Sequence, residues 1–218
     1  MSGGLDSTVI LAIALAKKRE CLLISFDYGQ RHKIELESAK AIAKYYNVPH
    51  KIITIDPAAF GGSSLFGSSL LEKESCCEVP KNRSIDEIKA SSTPNTYVPA
   101  RNTIFLSFAL AQAEIFGAVE IYIGPNALDI KYPDCSQAFV DAFQGVIHVA
   151  TKQAVDGKAP KLVAPLINLN KAEIVALGRS LNAPLDLSFS CYDPTESNQP
   201  CLKCDACTLR EDGFKASI

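Results

Sequence analysis

The sequence predicts an α/β fold: a doubly wound parallel sheet of the Rossmann-like kind with a small cysteine-rich appendage at its C-terminus. Three observations lead there. Short apolar, β-branched runs alternate with helical periodicities, the pattern of parallel strands joined by crossover helices. The chain has 218 residues, 47 % of them hydrophobic and 21 % charged, which supplies one buried core and excludes disorder as the main state. The last stretch spaces Cys191, Cys201, Cys204 and Cys207 as C-x9-C-x2-C-x2-C.

Each element follows in chain order. Thr8–Lys18 is apolar and Ala-rich, a helix, and Cys21–Phe26 is a short apolar run, a buried strand. Leu36, Ala39, Ile42 and Ala43 put one apolar face on a helix over Glu35–Tyr46, which Asn47 and Pro49 end, and Lys51–Ile55 is a β-branched strand. Residues 57–95 break the rhythm with Gly61-Gly62, Gly67, several serines and Cys76-Cys77, and carry one short helix near Ile85–Ala90. Thr103–Phe116 is a long helix ended by Gly117, and Glu120–Gly124 a strand. Gln137–Thr151 is an amphipathic helix with Phe139, Ala142, Phe143, Val146 and Ile147 on one face, followed by a strand at Leu162–Pro165. Asn170–Leu181 is a helix with Asn170 as N-cap and Glu173 three residues on, a capping-box start. Residues 1–181 thus read as one α/β domain, with 57–95 as an irregular excursion, and 182–218 as the cysteine-rich segment.

Charge and hydropathy exclude whole classes of function. A net charge of −2 argues against a broad nucleic-acid surface, which needs clustered Lys and Arg. The longest apolar run, Val9–Ala16, falls far short of the ~20 residues that span a bilayer, and no basic segment precedes it as in a secretory leader. A cytoplasmic location is expected, where 8 cysteines point to metal or catalysis rather than to a disulfide framework.

Ligands of parallel α/β sheets sit at the carboxyl ends of the strands, and most motifs of this chain fall at a strand end or a helix start. The foremost is Ser2-Gly3-Gly4-Leu5-Asp6-Ser7-Thr8. Two glycines permit a tight turn, and the amides and hydroxyls that follow can wrap an anion at the positive end of a helix. On composition alone a Gly turn with an Asp/Ser cap explains the segment equally well. The order Ser-Gly-Gly-x-Asp-Ser resembles the pyrophosphate loop of the N-type ATP pyrophosphatases, which cleave ATP between the α and β phosphates, whereas a Walker A loop carries a Lys that is absent here. Pro165-Leu166-Ile167-Asn168-Leu169-Asn170-Lys171-Ala172-Glu173-Ile174 resembles the downstream element of that family, whose Lys reaches the ATP phosphates.

Two overlapping C-x2-C units bring four thiolates within reach of one ion. Four cysteines suit a closed, tetrahedral, structural Zn2+ site. An iron–sulfur cluster is the competitor, since C-x2-C-x2-C also occurs there. The final ~35 residues hold too few apolar positions to fold alone, so a metal would supply folding free energy. Cys21 reads as a buried small hydrophobe.

The phosphate loop, Tyr97-Val98-Pro99-Ala100-Arg101-Asn102 and the four-cysteine cluster occur together. That set resembles the 7-cyano-7-deazaguanine (preQ0) synthase family of the queuosine pathway. Phe26-Asp27-Tyr28-Gly29-Gln30-Arg31-His32, Gly124-Pro125-Asn126, Tyr132-Pro133-Asp134-Cys135, Ser190-Cys191 and Cys204-Asp205-Ala206-Cys207-Thr208-Leu209-Arg210 extend the match along nearly the whole chain. The resemblance implies an adenine-nucleotide α-hydrolase-like fold and an ATP-dependent carbon–nitrogen ligase that converts 7-carboxy-7-deazaguanine and ammonia to the nitrile through adenylated intermediates. It implies Mg2+ with ATP, one structural zinc per chain and a homodimer, with no nucleic-acid or membrane partner.

By the same resemblance, Ser2, Gly3, Gly4, Leu5, Asp6, Ser7 and Thr8 hold pyrophosphate, Asp6 also serving Mg2+, and Lys171 binds phosphate. Phe26 lies where adenine rests by backbone contact, with plain core packing as the alternative. Arg101 pairs with a phosphate or with the substrate carboxylate, so that Asp6, Arg101 and Lys171 form the catalytic set. Gln30, Arg31, Asn102, Asp129, Tyr132 and Asp134 are the substrate-binding candidates. His32 is either a general base or a loop histidine, and Asp134 has a helix cap as its alternative role.

The chain departs from the family pattern in three places. The loop before Tyr132-Pro133 is one residue shorter than usual, Ser136 stands where the family has an Arg, and the apolar strand that normally leads into the phosphate loop is expected to be missing, leaving its neighbours unpaired. Two rival functions stay open at this point: another pyrophosphate-loop enzyme acting on tRNA or a sulfur carrier, and a zinc-stabilised binding protein without turnover.

Overall fold

The computed structural model describes residues 1–30, 33–56 and 78–217. Among the described residues the strands pair in parallel as the alternation requires, in two ladders of two strands each where one sheet was expected. β1 (Leu23–Asp27) pairs with β2 (His50–Thr54), Leu23 opposite His50 and Asp27 opposite Thr54. β3 (Glu120–Tyr122) pairs with β4 (Lys161–Val163), Glu120 opposite Lys161. The ladders belong to different compact units, one of residues 1–99 with 170–218 and one of residues 100–169.

In the first unit, α1 (Leu5–Ala16) runs straight from the phosphate loop and buries Val9, Ile10, Leu11, Ala12 and Ala14. α2 (Ile34–Tyr46) turns its periodic face, Leu36, Ala39, Ile42 and Ala43, inward, and Asn47 ends it in the left-handed conformation (φ 52°) that Asn tolerates. Leu11, Leu23, Ile42 and Ala43 form one apolar cluster. α3 (Ile85–Ala90) is the short helix expected, started by a Ser84/Glu87 capping box. α7 (Lys171–Ser180) begins with the Asn170/Glu173 capping box read from the sequence and packs on α1 and on α8 (Asp205–Ala216).

α8 was not foreseen, because its segment lacks a continuous apolar stripe. It is held instead by Cys207 in the cysteine cluster and by Phe214, whose ring lies beneath the guanidinium carbons of both Arg179 (5.6 Å) and Arg210 (5.0 Å).

In the second unit, α4 (Arg101–Phe116) and α5 (Gln137–Ile147) pack on β3 and β4 around Leu106, Leu110, Ile121, Val140, Phe143, Ile147 and Leu162. Gly117 ends α4 at φ 63°, as expected. α5 stops at Ile147, four residues short of the expected Thr151, because Thr151 caps the next helix, α6 (Lys152–Val155), accepting from Ala154 N at 3.1 Å. Among the described residues no helix is long and apolar enough to cross a membrane.

Candidate active site and four-cysteine centre

The loop Ser2–Thr8 folds back on itself through its own hydroxyls. Ser7 Oγ donates to Gly4 O (3.0 Å), Thr8 Oγ1 donates to the same carbonyl (2.8 Å), Gly4 N donates to Ser2 Oγ (3.2 Å), and Ser2 and Ser7 hydroxyls meet at 3.0 Å. Gly4 is the N-cap of α1 and has no side chain to occupy the first-turn amides, which suits an anion at that end. Gly3 is required twice over: its φ is +83°, and a Cβ there would lie 2.1 Å from Glu35 O, at the start of α2.

Asp6, on the first turn of α1, is gripped by Lys171 from the first residue of α7: Lys171 Nζ donates to Oδ1 at 2.8 Å and Oδ2 at 2.7 Å. Both side chains are largely buried, 25 % and 15 % exposed. The pairing depends on α8, since the position of Gly213 leaves no room for a Cβ: it would stand 2.8 Å from Lys171 Cβ. Phe26 and Gln30 belong to the same unit. Phe26 is half-buried at the end of β1, and its carbonyl accepts from Gln30 Nε2 at 3.4 Å, while Gln30 Oε1 accepts from Tyr28 N at 3.0 Å. Arg31 and His32, and the pair Cys76-Cys77, lie outside the described residues.

In the second unit the structure brings Arg101, Asn102, Asp134 and Cys135 together where α4 meets the short 3-10 turn Pro133–Cys135. Asn102 N donates to Asp134 Oδ2 (2.8 Å), and Asn102 Nδ2 donates to Asp134 O (2.9 Å) and Cys135 Sγ (3.1 Å). Asp134 is 7 % exposed and serves the first turn of α4. The cap of α5, the role weighed for Asp134, belongs to Ser136, which accepts from Phe139 N at 3.1 Å. Burial, then the carboxylates of Asp129 and Asp134, push the Cys135 thiol up to about 12, so it is neutral and no nucleophile. Asp129 Oδ2 accepts from Asn126 N at 3.0 Å and from Asn126 Nδ2 at 2.5 Å. Tyr132 is half-buried and joins the two 3-10 turns.

The four sulfurs of Cys191, Cys201, Cys204 and Cys207 lie within 4.8 Å of one another, with Cys191 and Cys204 4.0 Å apart. Four ligands at about 2.3 Å around one tetrahedral ion stand about 3.8 Å from each other, so a single ion fits this spacing. Backbone amides already serve the sulfurs: Cys201 N donates to Cys191 Sγ (3.3 Å), and Cys204 N (3.3 Å) and Lys203 N (3.5 Å) to Cys201 Sγ. Burial pushes the Cys191 thiol up from its ordinary value, while the hydrogen bond from Cys207 draws Cys204 down.

The supports of this centre come from a segment that sequence reading left as an excursion. Val79 packs among the cysteines, Lys81 bridges to Cys204 and pairs with Asp193 at 2.7 Å, and Arg83 grips the carboxylate of Asp205, 9 % exposed, through Nε (3.0 Å) and a terminal nitrogen. No local pattern announces contacts across 122 residues.

One strand of residues links the centre to the phosphate loop. Phe189 N donates to Gly3 O at 2.9 Å, two residues before Cys191. Arg210, on α8, donates through NH1 to Ser188 Oγ (2.8 Å) and Ser190 Oγ (3.3 Å) and through NH2 to Leu185 O (3.0 Å). Burial draws its guanidinium down from its ordinary value, against the charges of Asp186, Cys207 and Asp6. Arg210 was not singled out from the sequence, where it appears only as the last residue of a cysteine motif.

Comparison with known proteins places these features in a family. The chain is 47 % identical over 216 residues to a 7-cyano-7-deazaguanine synthase of Leptospira interrogans, covering 99 % of this chain and 84 % of that protein. It is 48 % identical over 217 residues to one of Solidesulfovibrio magneticus, covering 98 % and 88 %. Solved structures match more loosely: an NMN synthetase from Francisella tularensis (TM-score 0.47, 18 % identity, 92 % of this chain and 68 % of that one) and a U34-tRNA thiolase NcsA from Methanococcus maripaludis (TM-score 0.49, 17 % identity, 99 % and 62 %). Over residues 1–218 the chain matches the family model of queuosine biosynthesis protein QueC, and it belongs to that family.

Proposed function

We propose that this chain converts 7-carboxy-7-deazaguanine and ammonia to 7-cyano-7-deazaguanine with two molecules of ATP. Family membership supports the reaction, an ATP-dependent ligase step of queuosine biosynthesis. The structural observation that carries the chemistry is the Lys171–Asp6 pair on the first turn behind the Ser2–Thr8 loop. A carboxylate is a poor electrophile, and its oxygen is a poor leaving group until it carries AMP. In the first round a carboxylate oxygen attacks the α-phosphorus, the bond to the bridging oxygen breaks, and pyrophosphate leaves. Ammonia displaces AMP to give the amide. In the second round the amide oxygen is adenylated, and loss of AMP and of the nitrogen's protons leaves the nitrile.

The protein's share is placement and charge. The first-turn amides of α1 and the hydroxyls of Ser2, Ser7 and Thr8 hold the departing pyrophosphate, with Lys171 released from Asp6 toward it. Asp6 is the carboxylate that fits Mg2+, which usually takes one or two protein carboxylates beside substrate phosphates. Phe26 meets adenine by its backbone, Arg101 meets an anionic oxygen, and Gln30, Arg31, Asn102, Asp129, Tyr132 and Asp134 meet the deazaguanine.

The four thiols fit one zinc ion, which supplies folding free energy and no step of the reaction. Their spacing within 4.8 Å favours a single ion over an iron–sulfur cube, whose ligand sulfurs stand further apart. Residues 182–218 act as the zinc-binding segment of the α/β domain. The described cysteines are all free thiols, which supports a cytoplasmic location, and the chain works as a homodimer without nucleic acid.

The test is stoichiometry. With ATP, ammonium and 7-carboxy-7-deazaguanine, two AMP and two pyrophosphate form per nitrile, and omitting the deazaguanine abolishes both. AMP release that ignores the deazaguanine contradicts this reading.

A further inference from the structure

We infer that Arg210 is a pyrophosphate-binding residue of this enzyme, acting with Lys171 on the phosphate group that leaves when the α-phosphorus is attacked. The inference deepens the adenylation reading above and rests on it.

Four observations carry it. First, Arg210 borders a cavity of about 400 Å³ lined also by Asp186, Ser188, Ser190, Gln199 and Cys207. Second, that cavity adjoins the phosphate loop: Phe189, between the two serines, donates from its amide to Gly3 O at 2.9 Å, and a Cβ on Gly4 would lie 3.6 Å from Phe189 O. Third, the hydrogen-bond partners of Arg210 among the described residues are all neutral oxygens, Ser188 Oγ, Ser190 Oγ and Leu185 O. These bonds engage NH1 and NH2. They leave Nε–H, a donor that can meet an oxyanion. Fourth, α8 presents Arg210 and Gly213 one turn apart, and Gly213 is the residue that lies against Lys171. One helix therefore carries Arg210 and lies against Lys171, the partner of Asp6.

A half-buried guanidinium held by three neutral acceptors, with its Nε–H unused among the described residues, is a preorganised anion ligand. Phosphate is the favoured oxyanion because Phe189, which lines the cavity, is hydrogen-bonded to Gly3 of the phosphate loop. As the α-phosphorus–oxygen bond breaks, the electron pair goes to the bridging oxygen and the charge on pyrophosphate rises; no proton is needed. A cation aimed there stabilises the transition state more than the bound substrate.

The test uses the full-length metal-loaded protein and three readouts: inhibition by inorganic pyrophosphate, the kcat for AMP formation, and the KM for 7-carboxy-7-deazaguanine. Arg210→Gln is expected to weaken pyrophosphate inhibition about 30-fold or more and to lower kcat about 10²–10³-fold, with the KM for the deazaguanine within about twofold of the parent. Should Arg210→Gln lose its cooperative melt, Arg210→Lys decides: it keeps the charge and loses the Nε–H donor, and is expected to weaken pyrophosphate inhibition several-fold with the deazaguanine KM unmoved. Unchanged pyrophosphate inhibition in a folded variant overturns the inference, as does a rise in the deazaguanine KM alone, which would assign Arg210 to the carboxylate. Absence of deazaguanine-dependent AMP formation in the parent protein is the separate result that defeats the adenylation reading itself.

Discussion

Lys171 Nζ reaches both carboxylate oxygens of Asp6, at 2.8 and 2.7 Å, across 165 residues of chain. The contact joins the first turn of the helix after the phosphate loop to the first turn of α7, so a single ion pair closes the loop's far side. Lys171→Met is therefore expected to lower kcat for AMP formation about 10²–10³-fold while costing about 1–3 kcal/mol of stability, since it takes the Lys171 ammonium away from the largely buried Asp6 carboxylate. Steady-state kinetics and a urea melt on the same preparation check it. Activity within a few-fold of the parent would remove Lys171 from the phosphate site.

The position of Lys171 depends in turn on a glycine. Gly213→Ala would put a Cβ 2.8 Å from Lys171 Cβ and 3.0 Å from Lys171 O, so α8 must move off α7. A loss of about 1–3 kcal/mol is expected, together with a fall in kcat. Gly145→Ala is the control. Gly145 lies within α5 with nothing inside 4 Å of a new Cβ, and the change is expected to raise stability by about 0.5–1 kcal/mol. Thermal or urea melts distinguish the two signs.

Asp134 accepts from the amide of Asn102 at the start of α4, the contact of a helix cap. Asp134→Ala is expected to cost about 1–2 kcal/mol, readable in a melt without substrate. No change in stability would mean that the carboxylate serves substrate alone.

Cys135 supplies a pH test. Its folded-state thiol stands at about 12 against an ordinary 9, so the folded protein holds a proton that the unfolded chain gives up first. Its contribution to stability is complete below about pH 9 and is lost as pH rises from 9 toward 12. At pH 8, iodoacetamide should spare Cys135 in the native protein and label it after unfolding. Rapid native labelling would contradict the neutral, half-buried thiol.

Metal removal tests the cysteine centre. Chelation or Cys204→Ser is expected to unfold α8 and, through Phe189 on Gly3 and Gly213 on Lys171, to abolish ATP-dependent activity together with the cooperative melt. A stable, metal-free fold that loses activity alone would contradict a structural ion. Metal analysis of the purified protein should return one zinc per chain.

What was legible in the sequence follows the range of the forces involved. Ile85–Ala90 and the Asn170/Glu173 cap are local arrangements, and they lie where local patterns put them. The cysteine centre was legible because its ligands fall within 17 residues. α8 was not, since its stability comes from the Arg179–Phe214–Arg210 stack and the cluster at its start, neither of which has a helical period. The brace of Val79, Lys81 and Arg83 on the cluster and the link from Phe189 to Gly3 are long-range contacts with no motif. The Lys171–Asp6 pair has no sequence signal: resemblance points to each residue singly, and neither residue's neighbours point to the other.

The most direct measurement follows the nitrogen. Purified protein is given ATP, ¹⁵N-ammonium and 7-carboxy-7-deazaguanine, and the product is read by mass spectrometry. The expected product is 7-cyano-7-deazaguanine carrying one ¹⁵N, formed only when all three are present. AMP formed without the labelled nitrile, or released equally in the absence of the deazaguanine, would contradict it.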